Sequence, residues 1–128
     1  MRIVLASLLL TIASVLEGCT AGVPAKKIES LSPDARHGVL ELPIYTEGDL
    51  TGKEHAVVDS VKGTSCQYAK DDPAATEADA INAVKYWAKA QGAEGLKNVR
   101  CDAPHGRTLF NRCRERITCT GQAIKFAK

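Results

Sequence analysis

Five cysteines are the side chains of this 128-residue chain best equipped for chemistry: Cys19, Cys66, Cys101, Cys113 and Cys119. A thiol can be oxidised to a disulfide, bind a soft metal as its thiolate, or act as a nucleophile. Disulfides use cysteines in pairs, so an odd count leaves one for another task. The last four are separated by 34, 11 and 5 intervening residues, with no C-x-x-C. That spacing fits no common zinc module and no dithiol redox motif.

The odd one stands at the end of a greasy stretch. Met1-Arg2 is a short positive start, and residues 3–15 are apolar apart from Ser7, Thr11 and Ser14. The run has the length of a secretory h-region and is short for a membrane span. Leu16-Glu17-Gly18-Cys19 follows. It resembles the bacterial lipobox, whose cysteine attacks a diacylglyceryl donor and becomes the acylated N-terminus after cleavage. On this reading residues 1–18 are a lipoprotein signal peptide and Cys19 carries the anchor. Two or more acyl chains, at about 0.8 kcal/mol per buried CH₂, hold a protein on a membrane stably. Thr20 follows, where an Asp would favour the inner membrane, so the expected address is the outer membrane with the domain in the periplasm. That compartment is oxidising, which makes structural disulfides the expected use of the other four cysteines.

The elements that position those four can be read from pattern. Residues 19–38 show no sustained period and two prolines, Pro24 and Pro33, and read as a flexible tether. A domain is expected over 39–128. "VLELPIY", 39–45, alternates as an edge strand carrying Pro43, and "HAVVDSVKG", 55–63, reads as a second strand. Asp72-Pro73 predicts a helix start, and Ala74, Ala78, Ile81, Val84 and Ala88 recur at helical spacing up to Gly92. "LKNVRC" reads as a third strand, 102–111 as a loop, and 112–128 as a long final strand with a bulge near Gly121. The order β-β-α-β-β predicts an α+β fold: a small, mostly antiparallel four-stranded sheet covered by one helix.

Four cysteines allow three pairings. Cys113 and Cys119 lie on one predicted strand, six residues and roughly 20 Å apart, beyond disulfide reach. Two pairings stay open: 66–113 with 101–119, or 66–119 with 101–113. Hairpin proximity favours the second.

Charge is uneven along the chain. Residues 97–128 hold eight Lys/Arg against two acids, a net +6, whereas residues 19–96 hold eight against twelve, a net −4. Arg112, Arg114 and Arg116 share one parity and form a possible docking surface for an acidic partner or an anionic envelope polymer. His37, His55 and His105 are scattered and read as isolated surface residues. No nucleophile elbow, zinc-protease motif or phosphate loop is present. The expectation is a protein that binds partners, with no enzymatic activity, cofactor, metal, nucleic acid or small-molecule substrate.

Taken together, "IYTEGDLTGK", "DSVKGTSCQ" and "CRERITCTGQAIKFAK" resemble the Rcs-type outer-membrane stress-sensor lipoproteins, the RcsF family. That family has a like I-Y-T…L-x-G-K segment, a G-x-S-C-Q after the second strand and two cysteines six apart near the end. The resemblance covers roughly residues 43–128 and the lipobox. It implies the interleaved pairing, Cys66 with Cys113 and Cys101 with Cys119. It also implies a function: to monitor the envelope, associate with outer-membrane β-barrel proteins and their assembly machinery, and relay damage to the inner-membrane regulator IgaA of the Rcs phosphorelay. The alternative expectation is an accessory outer-membrane lipoprotein that supports barrel assembly or envelope structure without signalling.

Overall fold

The computed structural model describes residues 24–106 and 112–128. The expected signal segment, Cys19 and part of the expected loop 102–111 lie outside these residues. Among the described residues no helix is long and apolar enough to cross a membrane. The elements are α1 (Pro24–Glu29), α2 (Pro33–Leu40), β1 (Ile44–Tyr45), β2 (His55–Gln67), α3 (Glu77–Ala90), β3 (Gly95–Cys101) and β4 (Glu115–Phe126).

The fold is α+β, built on one four-stranded sheet in the order β1-β3-β4-β2. The sheet is mixed, not mostly antiparallel as expected: β4 runs antiparallel to both neighbours, but β1 pairs with β3 in parallel. β1 and β2, successive in the chain, stand at opposite edges. Pro43 has no amide to donate and offers only its carbonyl, which accepts from Leu96 N–H at 2.9 Å. The strand expected over 39–45 shrinks to two residues, and Val39 and Leu40 belong to α2.

One face of the sheet is covered by α3. Ala80, Ala83, Val84 and Ala88 are its buried residues, and small side chains let the helix axis come close. β2 answers with Gly63, where any Cβ would strike the Ala80 carbonyl oxygen and the Val84 amide nitrogen. Val61, Val84, Leu96, Ile117, Cys119 and Ala123 form the centre of the core, with Ile81, Trp87 and Val99 packed against it.

The helix begins four residues later than Asp72-Pro73 predicts. Thr76 is the N-cap, its hydroxyl accepting from Asp79 N–H at 3.1 Å. Asp72 instead closes a turn, its carboxylate accepting from Ala69 N–H at 2.9 Å. Asp and Pro serve turns as readily as helix starts, so that signal was ambiguous. The end is as expected: Gly92 takes φ 75°, and Ala93 N–H donates to Ala88 O at 3.0 Å.

The bulge expected near Gly121 is present, but in the neighbouring strands. β3 carries the extra residue between Lys97 and Arg100, with Asn98 at φ 53°, and β2 shifts register between Val57 and Asp59. These two shifts bend the neighbours around β4, and both Ala123 and Ile124 become fully buried.

The segment read as a tether is folded from Pro24 onward. Pro33 opens α2 behind an N-cap, Ser32, whose hydroxyl accepts from Ala35 N–H. Of the prolines read as linker marks, Pro33 is a helix start and Pro24 lies in α1. Thus α3 is not the sheet's one helix: α1 lies against α3 and β2, and α2 against α3. Between Lys27 and Leu40 the buried side chains are Ile28 and Val39. Their burial is worth about 1.5–3 kcal/mol each, a modest hold for fourteen residues.

Candidate functional site

The cysteines organise the molecule. β3 and β4 run antiparallel with Cys101 directly opposite Cys119, and the two are bonded. Alternation along β4 puts Cys119 on the α3 side with Ile117 and Ala123, and its sulfur is fully buried 4.0 Å from the Glu77 carbonyl oxygen. Cys66 is bonded to Cys113, which ties the end of β2 to the segment entering β4. Cys66 follows Ser65, which points to the helix, so it sits on the other face, opposite Arg116. The two bonds therefore brace the same end of the sheet from opposite faces. They join the pairs that the family resemblance implies, and the hairpin preference for Cys101 with Cys113 is not what the chain adopts.

The motifs that carry the resemblance have structural work. In "IYTEGDLTGK", the Asp49 carboxylate accepts from both the amide and the hydroxyl of Thr46 at 2.8 Å. The backbone bond first, the hydroxyl bond next, and the charge of Lys53 hold its carboxyl below the usual aspartate range. Leu50 is buried, Gly52 turns the chain at φ 75°, and Lys53 lies 5.8 Å over the Tyr45 ring. Tyr45 in turn meets Phe126 edge-on at 5.5 Å and lies over Gly95. In "GTSCQ", Gly63 receives α3, the Ser65 hydroxyl accepts from Thr76 N–H at 3.0 Å, and Gln67 Nε2 donates to Asp72 O at 2.9 Å.

What these elements leave open is the sheet face turned away from α3. Register places Lys62 of β2, Thr120 of β4 and Arg100 of β3 in one row across three strands, all exposed. The next row is Thr64 and Thr118, with Asp102 beyond, its N–H donating to Thr118 O at 2.8 Å. The third is Cys66, Arg116 and His105, the last bridging to Arg116 through both backbone groups at 2.9 Å. On the opposite side of the Lys62 row, Asn98 Nδ2 donates to Gln122 Oε1 at 2.8 Å. This face is threonine-rich and cationic.

The arginine row is only partly brought together. Arg116 lies within β4, half-buried, and its Nε is buried without a hydrogen-bond partner among the described residues. Arg112 and Arg114 are exposed but precede the strand, and Arg114 N–H donates to Gln67 O at 2.6 Å. Lys62 and Arg100 were missed by the sequence reading. The signal was there: Lys62 stands between the inward Val61 and Gly63, and Arg100 between Val99 and Cys101.

The histidines stay apart. His37 lies in the last turn of α2 and His105 on the sheet's rim. His55 Nδ1 is 2.9 Å from the Lys53 carbonyl oxygen, so it donates, and Nε2 accepts from Lys97 Nζ at 3.1 Å. Among the described residues no cluster of three or more His, Cys, Asp or Glu side chains could hold a metal ion. No protein-family model matches the chain, and no curated protein matches it.

Proposed function

We propose that this chain is an outer-membrane lipoprotein that senses envelope stress and signals by protein contact to an IgaA-like inner-membrane regulator of the Rcs phosphorelay. The observation that carries the reading is the use of the cysteines. Cys66, Cys113, Cys101 and Cys119 are consumed in two bonds within the domain, which leaves Cys19 over, at the end of the apolar stretch. A thiol in that sequence context is the substrate of lipidation. Two disulfides are also what a small exported domain needs to supplement its core.

Signalling needs no chemistry on this reading. Stress changes whether the domain is held by a β-barrel partner and its assembly machinery or is free to reach the regulator, and the differential affinity of the two complexes sets the switch. The sheet face that no described element covers supports a docking role. Lys62, Arg100 and Arg116 give it a positive field that an acidic patch on the regulator would complement, steering encounter and fixing orientation.

The test is site-specific photo-crosslinking in cells. A photoreactive residue at position 120, in the centre of the Lys62–Arg100 row, should capture the regulator under envelope stress. The same residue at position 78, on the exposed side of α3, should not. Capture from position 78 with none from position 120 would overturn the assignment of the sheet face.

A further inference from the structure

We propose that α1 and α2 act as a latch that shortens the tether while docked on α3 and lengthens it when released. The inference rests on the lipid-anchor reading and deepens it. With α1 docked, five chain steps separate Cys19 from Pro24, which is a reach of at most roughly 17 Å. With both helices undocked, the first residue anchored in the central core is Leu42. The free chain is then 23 steps long, roughly 25–29 Å as a flexible coil and at most about 80 Å when pulled straight.

The attachment is built to be weak. Ile28 and Val39 are buried, yet neither belongs to the cluster that Leu42 joins. α1 has six residues and α2 eight, and α2 has Gly38 in its interior. Among the described residues, surface links to α3 include Lys27 Nζ, 5.1 Å over the Trp87 ring, and Lys85 Nζ, which donates to Leu40 O at 2.9 Å. Arg36 Nη2, which donates to Glu29 O at 2.5 Å, instead ties α2 to α1 and leaves the pair free to move together. An open depression of about 390 Å³ lies where α2 meets the end of α3, between Gly38, Leu42, Lys89 and Gly92. Neither disulfide reaches this segment, so it can open while the sheet stays stapled. A barrel or membrane partner that favours the short form and a regulator that requires the long one would each bias this element.

Two substitutions move the latch in opposite directions. Gly38→Ala adds a Cβ whose nearest neighbour is Lys89 Cε at 3.9 Å, ordinary contact, and removes the helix's weakest residue. It should favour the docked form about fivefold. Val39→Asp puts a charge in place of one of the two buried anchors. Amide hydrogen exchange on the full lipidated chain in detergent micelles reads the result. The α2 amides should be protected, yet exchange at least tenfold faster than those of α3. Gly38→Ala should slow them about fivefold, and Val39→Asp should abolish their protection while β2 and β4 are unchanged. Equal exchange of α2 and α3, or no protection of α2 in the parent, overturns the latch. In a phosphorelay reporter, Val39→Asp should raise the unstressed signal and Gly38→Ala lower the stressed one. Altered exchange with an unaltered reporter would overturn the signalling role, whereas a parent silent in the reporter would overturn the sensor reading itself, leaving the exchange contrast to decide the latch.

Discussion

Cys101 and Cys119 face each other directly across β3 and β4, and their bond lies under the first turn of α3. The two central strands and the covering helix thus meet at one disulfide, whose Cys119 half is fully buried. Cys66 has Arg116, not a cysteine, as its cross-strand partner and must reach out of register to Cys113. One bond reinforces a ladder that already exists; the other closes a long excursion of the chain.

That difference sets the expected cost of removing each. The Cys66–Cys113 bond closes 47 residues, and the Cys101–Cys119 bond closes 18. Loop entropy alone gives about 4 kcal/mol for the first and about 3 for the second. Replacing Cys119 also removes a fully buried side chain from the core, which narrows the gap. Paired alanine variants compared by urea unfolding should each lose several kcal/mol. A Cys66→Ala/Cys113→Ala variant as stable as the parent would contradict the pairing.

Gly63 marks the closest approach of helix and sheet. Gly63→Ala drives a methyl into the α3 backbone at Ala80 and Val84, and main chain cannot step aside as a flexible side chain does. The expected loss is about 1–3 kcal/mol or more. Gly48→Ala, whose Cβ would meet Thr46 Oγ1 at an ordinary 3.7 Å, should fall within about 0.5 kcal/mol of the parent. Thermal unfolding of the two variants side by side decides the point.

Ser65 and Thr76 form a short relay from β2 into α3. The Ser65 hydroxyl takes the Thr76 amide, and the Thr76 hydroxyl takes the Asp79 amide. Ser65→Ala should cost about 1–3 kcal/mol, because the group it leaves is partly buried, and Thr76→Ala about 1 kcal/mol. Thr76→Ala keeps the amide that donates to Ser65, so the two variants break different bonds that fix the same helix start, and a double-mutant cycle should read a coupling between them.

Asp49 should titrate by NMR below an ordinary aspartate. Its folded-state pKa is depressed, so the stabilisation is present above the unfolded value and is lost as pH falls through the folded one. Below that range the Thr46–Asp49 turn should loosen, with the Tyr45 and Phe126 ring signals shifting in step. Asp49→Asn should remove the acid transition. Titration at the ordinary aspartate value would show that the Thr46 bonds do not persist in solution.

How much was legible in the sequence depended on whether a signal was periodic or local. The helix and the long strands are repeated patterns, and the pattern held where burial enforces it: Val84 and Ala88 of the expected α3 stripe are buried, whereas Ala74 precedes the helix, Ala78 is exposed, and the remaining buried positions are Ala80 and Ala83. Asp72-Pro73 was a local signal that suits a turn as well as a helix, and the turn won because Thr76 could be capped against Ser65. α1 and α2 were hidden because two buried residues in fourteen make no period. The bulges escaped because a parity change in β4 records a shift without saying which strand holds the extra residue. The disulfide partners depended on sheet order, β1-β3-β4-β2, which brings Cys101 opposite Cys119 and which no spacing in the chain reveals. Lys62 and Arg100, by contrast, could have been found by extending the alternation one residue either side of the inward positions.

The measurement that tests the central claim most directly is a reporter assay in cells. The chain, with and without Cys19→Ser, is expressed in a strain that lacks its own Rcs sensor lipoprotein, and a phosphorelay-dependent promoter is read under envelope stress. The account predicts activation by the parent and its loss in Cys19→Ser. Silence from a parent shown to be folded, oxidised and lodged in the outer membrane would contradict the signalling role and favour the accessory one.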